Sequence, residues 1–131
     1  MSYGISTLLS RPFDETVARV RDVLAAQGFG VLTEIDVRAT MKTKLDAEVE
    51  DYVILGACNP ALAHRALEID RSIGLLLPCN VVVRRVDAQT TQVEVLDPHL
   101  LAQHSNRPGL VEVAAEADAR LRAALTELDA A

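Results

Sequence analysis

Cys79-Asn80-Val81-Val82-Val83-Arg84-Arg85-Val86-Asp87-Ala88-Gln89-Thr90-Thr91-Gln92-Val93-Glu94-Val95-Leu96 reads as two strands and the turn between them. The first half is dense in β-branched side chains. The second alternates Val93 and Val95 with Gln92 and Glu94, the period of a strand with one dry and one wet face. Asp87-Ala88-Gln89-Thr90 supplies the polar turn. Pro78, just upstream, cannot donate to a ladder hydrogen bond, so it marks a bulge, an edge or the point where the strand begins. The expected hairpin therefore runs from 79–86 to 91–96.

Toward the N-terminus, Asn59-Pro60 is a helix start, with Asn as cap and Pro in the first turn, and Leu62, Ala63, Ala66 and Leu67 form its apolar face. Tyr52 to Ala57 is apolar on both parities and reads as an interior strand. Before it, Asp36 caps a short helix with Val37, Met41 and Leu45 spaced by four, followed by an acidic turn at 46–51. Val31, Thr33 and Ile35 alternate with Leu32 and Glu34 as a second strand. Phe13, Val17, Val20 and Leu24 make one face of a helix that opens near Pro12 and closes at Gly28. Residues 3–9 alternate as a first strand. Toward the C-terminus, Asp97-Pro98 repeats the cap-plus-proline start for a helical turn through Leu101. A polar loop at 103–108 follows, and Leu110, Val113, Ala117, Leu121, Leu125 and Leu128 line one stripe of a long last helix.

The order β-α-β-α-β-α-β-β-(short α)-α predicts one α+β domain over 1–131: a single, largely antiparallel sheet with the longer helices packed on one face. The opposite face is then open. Tyr52, Ile54 and Val82 are expected to line it, and their apolar character predicts cover by a second subunit or a ligand, a homodimer being the expected assembly.

The chain has 131 residues, net charge −6, and 3% aromatic residues with no Trp, so its core is built from Val, Leu, Ile and Ala. The acidic balance argues against nucleic acid, because phosphate contacts need a surplus of Lys and Arg, and Lys42/Lys44 and Arg84-Arg85 are short, isolated clusters. Residues 1–10 show no leader pattern, and no apolar run approaches membrane-spanning length. The expectation is a cytoplasmic protein with no membrane partner, in which Cys58 and Cys79 stay as thiols.

Three segments carry a family resemblance: Gly28-Phe29-Gly30-Val31-Leu32-Thr33-Glu34-Ile35-Asp36, Ile54-Leu55-Gly56-Ala57-Cys58-Asn59-Pro60, and Gly74-Leu75-Leu76-Leu77-Pro78-Cys79-Asn80-Val81-Val82-Val83. In this order they resemble the bacterial and archaeal family catalogued as domain of unknown function 302, over roughly residues 3–128. The resemblance implies a sheet like half of the TATA-binding protein and a small, dimer-forming molecule. It implies no activity, cofactor or catalytic set, and likeness of fold to a DNA-binding protein transfers no function. Relatives are expected to carry Met near the end of Asp97-Pro98-His99-Leu100-Leu101; the Leu here weakens any soft-metal site built on that Met.

Cys58 and Asn59 are the leading candidate site residues. They sit where a helix begins, so unpaired N–H groups and the positive dipole end would favour a thiolate or a bound anion. The plain alternative is a small residue ending an interior strand. Cys79 shares parity with Val81 and Val83, which makes it a core residue unless it converges with Cys58. Convergent thiols would suit a soft metal or a redox pair, yet no C-x-x-C is present and no metal site is assigned. His64, four before Glu68, reads as a solvent-side pair, and His99 and His104 lack a helical ligand spacing. Asp97 and Asp36 read as caps, and Glu34 lies on the polar parity of its strand. Gly28-x-Gly30 precedes a strand, so it is a turn and not a phosphate cradle.

The leading expectation is a dimeric binding module for a small ligand, anions included, around Cys58, Asn59 and Cys79, with cofactors unknown. The alternative is a thiol-dependent redox enzyme or soft-metal-handling protein using Cys58 and Cys79. A purely structural, partner-binding subunit is a third reading.

Overall fold

The computed structural model describes residues 3–105 and 107–130. Residue 106, within the polar loop expected at 103–108, lies outside the described residues, as do residues 1 and 2 of the stretch read for a leader. Five strands, β1 (Gly4–Leu9), β2 (Gly30–Asp36), β3 (Tyr52–Cys58), β4 (Cys79–Asp87) and β5 (Thr90–Leu96), form one antiparallel sheet in the order β1-β5-β4-β3-β2. The helices are α1 (Phe13–Ala26), α2 (Val37–Leu45), α3 (Pro60–Ile69), α4 (His99–Gln103) and α5 (Leu110–Asp129). A 3₁₀ segment, Arg71–Leu76, precedes β4.

The β4–β5 hairpin forms where the alternation places it. Its two-residue turn, Ala88-Gln89, is held by the Gln89 N–H donating to Asp87 Oδ1 at 2.9 Å. Pro78 stands at the entry of β4 after a cis Leu77-Pro78 bond. Only the upstream part of the apolar run differs: Leu75 and Leu76 belong to the 3₁₀ segment and face solvent.

Strand register sorts the side chains into two faces. Ile5, Val95, Val81 and Leu55 are lateral neighbours on one of them, with Thr7, Val93, Val83 and Val53 in the next row. This face carries the two longest helices. Val20, Val23 and Leu24 of α1 and Leu121, Ala124, Leu125 and Leu128 of α5 are buried in the same core as the strand valines. Burying each such Val or Leu is worth about 2 kcal/mol. The two buried hydroxyls are satisfied: Thr16 Oγ1 donates to Pro12 O and Thr91 Oγ1 to Arg11 O, each at 2.8 Å.

Helix α3 lies off the sheet. Leu62 and Ala66 pack with Ile73, Leu110, Val113 and Ala117 into a second core at one end of the molecule. Helix α2 departs from its expected stripe, since it buries no side chain and Leu45 is exposed. Its partners are the edge strand β2 and its neighbour β3, which leave Val37 and Met41 half-buried and Leu45 in water.

Strand β2 also departs from simple alternation. Val31 pairs with Ala57 but Thr33 pairs with Gly56, so the ladder slips by one residue and Leu32 is left outside it, exposed. A bulge of this kind reverses the parity beyond it. Val31 therefore joins the main core, while Thr33 and Ile35 turn to the open face. Glu34 moves to the helix side and pairs with Arg21 of α1.

On the open face Ile54, Val82, Glu94 and Ser6 are lateral neighbours, as are Tyr52, Arg84 and Gln92. Tyr52, Ile54 and Val82 are half-buried, and Leu8 and Ile35 are exposed toward the two edges. Arg84 spans the middle, with its Nε 3.2 Å from Glu94 Oε1 and a second nitrogen donating to Gln92 at 2.9 Å. No helix among the described residues is long and apolar enough to cross a membrane.

Candidate functional site

The place where β3 leaves the sheet is shaped by three local devices. Asn59 caps α3, its Oδ1 accepting from the Leu62 N–H at 3.2 Å, with Pro60 in the first turn. Gly28 closes α1 at φ +84°, donating to Ala25 O at 3.0 Å, while Phe29 N–H reaches Leu24 O at 2.9 Å. A Cβ on Gly28 would come within 3.0 Å of Asn59 Nδ2, so this turn lies tight against the cap residue. Gly56 admits Pro78: a Cβ there would stand 2.2 Å from Thr33 Oγ1 and 2.8 Å from Pro78 Cγ.

Between these walls lies a half-enclosed cavity of about 50 Å³, lined by Cys58, Asn59 and Cys79 together. The register brings the two residues close along the sheet: Cys79 opens β4 directly opposite Ala57, the residue before Cys58, so both residues sit where the β3–β4 ladder runs out. Leu62 and Ala66 of α3, Leu77, and Val113 and Ala117 of α5 complete an apolar lining, and the buried Pro98 closes it from the β5 side. The cavity thus occupies the seam between the two cores.

The chemistry inside differs from that expected of an activated cysteine. Burial pushes the Cys79 thiol up to about 12, and the only hydrogen-bond partner within reach of its sulfur among the described residues is the Leu96 carbonyl at 3.8 Å. Burial also raises the Cys58 thiol above its ordinary value. In both cases desolvation disfavours the thiolate.

The helix start offers little to an anion. Pro60 has no N–H, Leu62 N–H is taken by the Asn59 side chain, and Ala63 N–H donates to Asn59 O at 2.9 Å. Ala61 holds the one first-turn N–H without a partner among the described residues. Of the basic pair Lys42/Lys44, Lys42 Nζ is engaged by Asp46 at 2.6 Å and Glu48 at 2.9 Å.

His64 faces solvent beside Glu68, with 3.3 Å between Nδ1 and Oε1, as its spacing predicts, and His104 is exposed at the end of α4. Asp97 caps as expected, its Oδ1 accepting from His99 N–H at 3.0 Å. Sequence spacing does not show what joins it: His99 Nδ1 lies 2.9 Å from Asp97 Oδ1 and 3.8 Å from Asp118 Oδ1. Asp118 sits on a different helix, and nothing near it in sequence points to the pair.

The family model for "Domain of unknown function DUF302" matches residues 5–128. The chain belongs to this family. Among solved structures, the chain is similar to an uncharacterized conserved DUF302 protein from Bacillus stearothermophilus, at 32% identity and a TM-score of 0.87, over 96% of this chain and 98% of that one. No match was found among curated proteins. The shared architecture thus carries the α+β sheet expected from the family's three segments, all of which fall within the matched region.

Proposed function

We propose that this family member is a small-ligand-binding module whose pocket at the β3–α3 junction receives a neutral, apolar group. The observation that carries the reading is that Cys58, Asn59 and Cys79 line one cavity whose other walls are apolar. A water needs about 10–15 Å³ and an apolar cavity of about 150 Å³ takes benzene, so 50 Å³ suits a short aliphatic group or the tip of a larger molecule. With one unpartnered first-turn N–H among the described residues and two thiols whose ionisation burial disfavours, the site has little to offer a charge, which favours a neutral ligand over an anion. The test is two-dimensional NMR of the ¹⁵N-labelled protein with pairs of small fragments, each neutral compound matched to its carboxylate. Neutral members are expected to shift the amides of Cys58, Leu62 and Cys79, and Ala63→Leu, which fills the cavity, to abolish the shifts. Shifts caused only by the carboxylates, or none with any fragment, would contradict the reading.

Two thiols at one cavity favour a second reading, a redox pair or a soft-metal site using Cys58 and Cys79. Their raised pKa values oppose it, since the thiolate is the nucleophile and the ligand. Native thiol titration with metal analysis separates the two: fast modification of both cysteines, or copurified copper or zinc lost in Cys58→Ser, would favour the thiol chemistry.

We further infer that the open sheet face pairs with a second copy of the chain. Its half-buried Tyr52, Ile54 and Val82 and exposed Leu8 and Ile35 present apolar surface around a polar centre. Sedimentation equilibrium is expected to give twice the chain mass, and Val82→Arg to give the single-chain mass. A reducing compartment such as the cytoplasm suits the two free thiols.

A further inference from the structure

The sites on this chain are not confined to the pocket. Asp97, His99 and Asp118 come from the end of β5, the first residue of α4 and the middle of α5. Each offers one ligand atom, and these atoms all lie within 4.8 Å of one another. The geometry points to a binding site for a single divalent transition-metal ion of the Zn²⁺ class, held by His99 Nδ1 and one oxygen each of Asp97 and Asp118.

The spacing fits one coordination sphere. Zinc binds His nitrogen and carboxylate oxygen at about 2.0–2.2 Å, which sets tetrahedral donors roughly 3.4 Å apart. His99 Nδ1 stands 2.9 Å from one carboxylate oxygen and 3.8 Å from the other, on either side of that spacing, and no two of the three donors are more than 4.8 Å apart. Both carboxylates are already oriented. Asp97 is pinned by the His99 N–H at 3.0 Å, and Arg122 Nε holds both oxygens of Asp118 at 3.0 Å. An outer hydrogen bond to a ligating carboxylate is a usual support for a metal centre. Arg122 also offsets one of the two negative charges before any ion arrives.

The donor types choose the ion. An imidazole nitrogen with two carboxylates suits zinc and its neighbours, whereas calcium and magnesium take oxygen ligands almost throughout. His99 is half-exposed, which leaves the remaining coordination position to solvent. The site is independent of the pocket: it contains no thiol.

The test uses the full chain freed of metal, with Zn²⁺ alone as the probe, in isothermal titration calorimetry. The wild type is expected to bind one ion per chain. His99→Ala and Asp118→Asn are each expected to weaken binding at least about tenfold, with far-ultraviolet circular dichroism confirming that they fold. His104→Ala and the double variant Cys58→Ser/Cys79→Ser keep wild-type affinity. Co²⁺ substituted for Zn²⁺ should give a visible spectrum of nitrogen and oxygen ligation without a thiolate charge-transfer band. No binding by the wild type, unchanged affinity in His99→Ala and Asp118→Asn, or a thiolate band with Co²⁺ would each overturn the site.

Discussion

Asn59-Pro60 and Asp97-Pro98 are the same two-residue device used at two junctions of one fold. In each an Asx side chain accepts a backbone N–H just downstream, from Leu62 at 3.2 Å and from His99 at 3.0 Å. The two junctions even share a wall, because Pro98 lines the cavity that Asn59 borders. Beyond this they diverge. The first is apolar, with thiols that burial shifts away from ionisation. The second is wet and charged, with a histidine between two carboxylates and an arginine behind one of them. Helix α5 makes the difference within one residue: Ala117 completes the cavity and Asp118 joins the charged group. A capping motif fixes where the chain turns, and the third element packed against it decides the chemistry.

The contrast breaks if the two junctions respond alike to truncation. Leu62→Ala at the apolar junction is expected to cost about 3 kcal/mol in urea unfolding, from lost burial and an enlarged cavity. His99→Ala, on a half-exposed side chain, should stay within about 0.5 kcal/mol. Comparable losses would erase the distinction. Next in size is Gly56→Ala, expected to cost about 2 kcal/mol by the same measurement, because its Cβ would meet Thr33 Oγ1 at 2.2 Å and Pro78 Cγ at 2.8 Å.

The caps sharpen the comparison further. Asn59→Ala should cost about 1 kcal/mol, and because Asn does not titrate, that loss should be the same at pH 3 and pH 7. Asp97 differs. The His99 backbone N–H, first, and then its ring hold the Asp97 carboxyl below its ordinary range. A depressed folded-state pKa contributes stability above about pH 4, the unfolded value, and loses it as pH falls through the folded value. Unfolding of wild type and Asp97→Asn from pH 6 to pH 2 should show an acid-dependent loss in the wild type that the variant lacks.

Cys79, whose thiol burial pushes up to about 12, extends the comparison to alkaline pH. Its raised folded-state value keeps the full contribution below about pH 8.5, the ordinary thiol value, and loses it as pH rises toward the folded value. Cys79→Ala should therefore flatten the alkaline limb of the stability profile. An unchanged limb would place the sulfur in a wetter setting than the cavity provides.

What the sequence discloses follows the range of the interaction. The β4–β5 hairpin, the Asn59 cap and the stripe on α5 are set by residues a few positions apart, and each forms where its pattern places it. The bulge at Leu32 is invisible in the alternation of Val31, Thr33 and Ile35, because only pairing with β3 reveals the slip. Leu45 keeps helical spacing yet stays exposed, since periodicity says which residues share a face and not whether anything covers it. For the candidate site, Cys58 and Asn59 were legible from the helix start. That Cys79 joins them depends on the Ala57–Cys79 register, and that Asp118 meets His99 depends on how α5 crosses α4. The upward shift of the thiols was least legible, because it comes from burial among segments far apart in the sequence.

The claim on which the functional reading stands is that the cavity beside Cys58 is dry and receptive to an apolar guest. Crystals pressurised with xenon test it directly, because xenon enters apolar cavities and avoids wet ones. The account predicts xenon density between Leu62, Cys58 and Cys79, absent in Ala63→Leu crystals and absent beside His99. Ordered water filling that space with no xenon would contradict it.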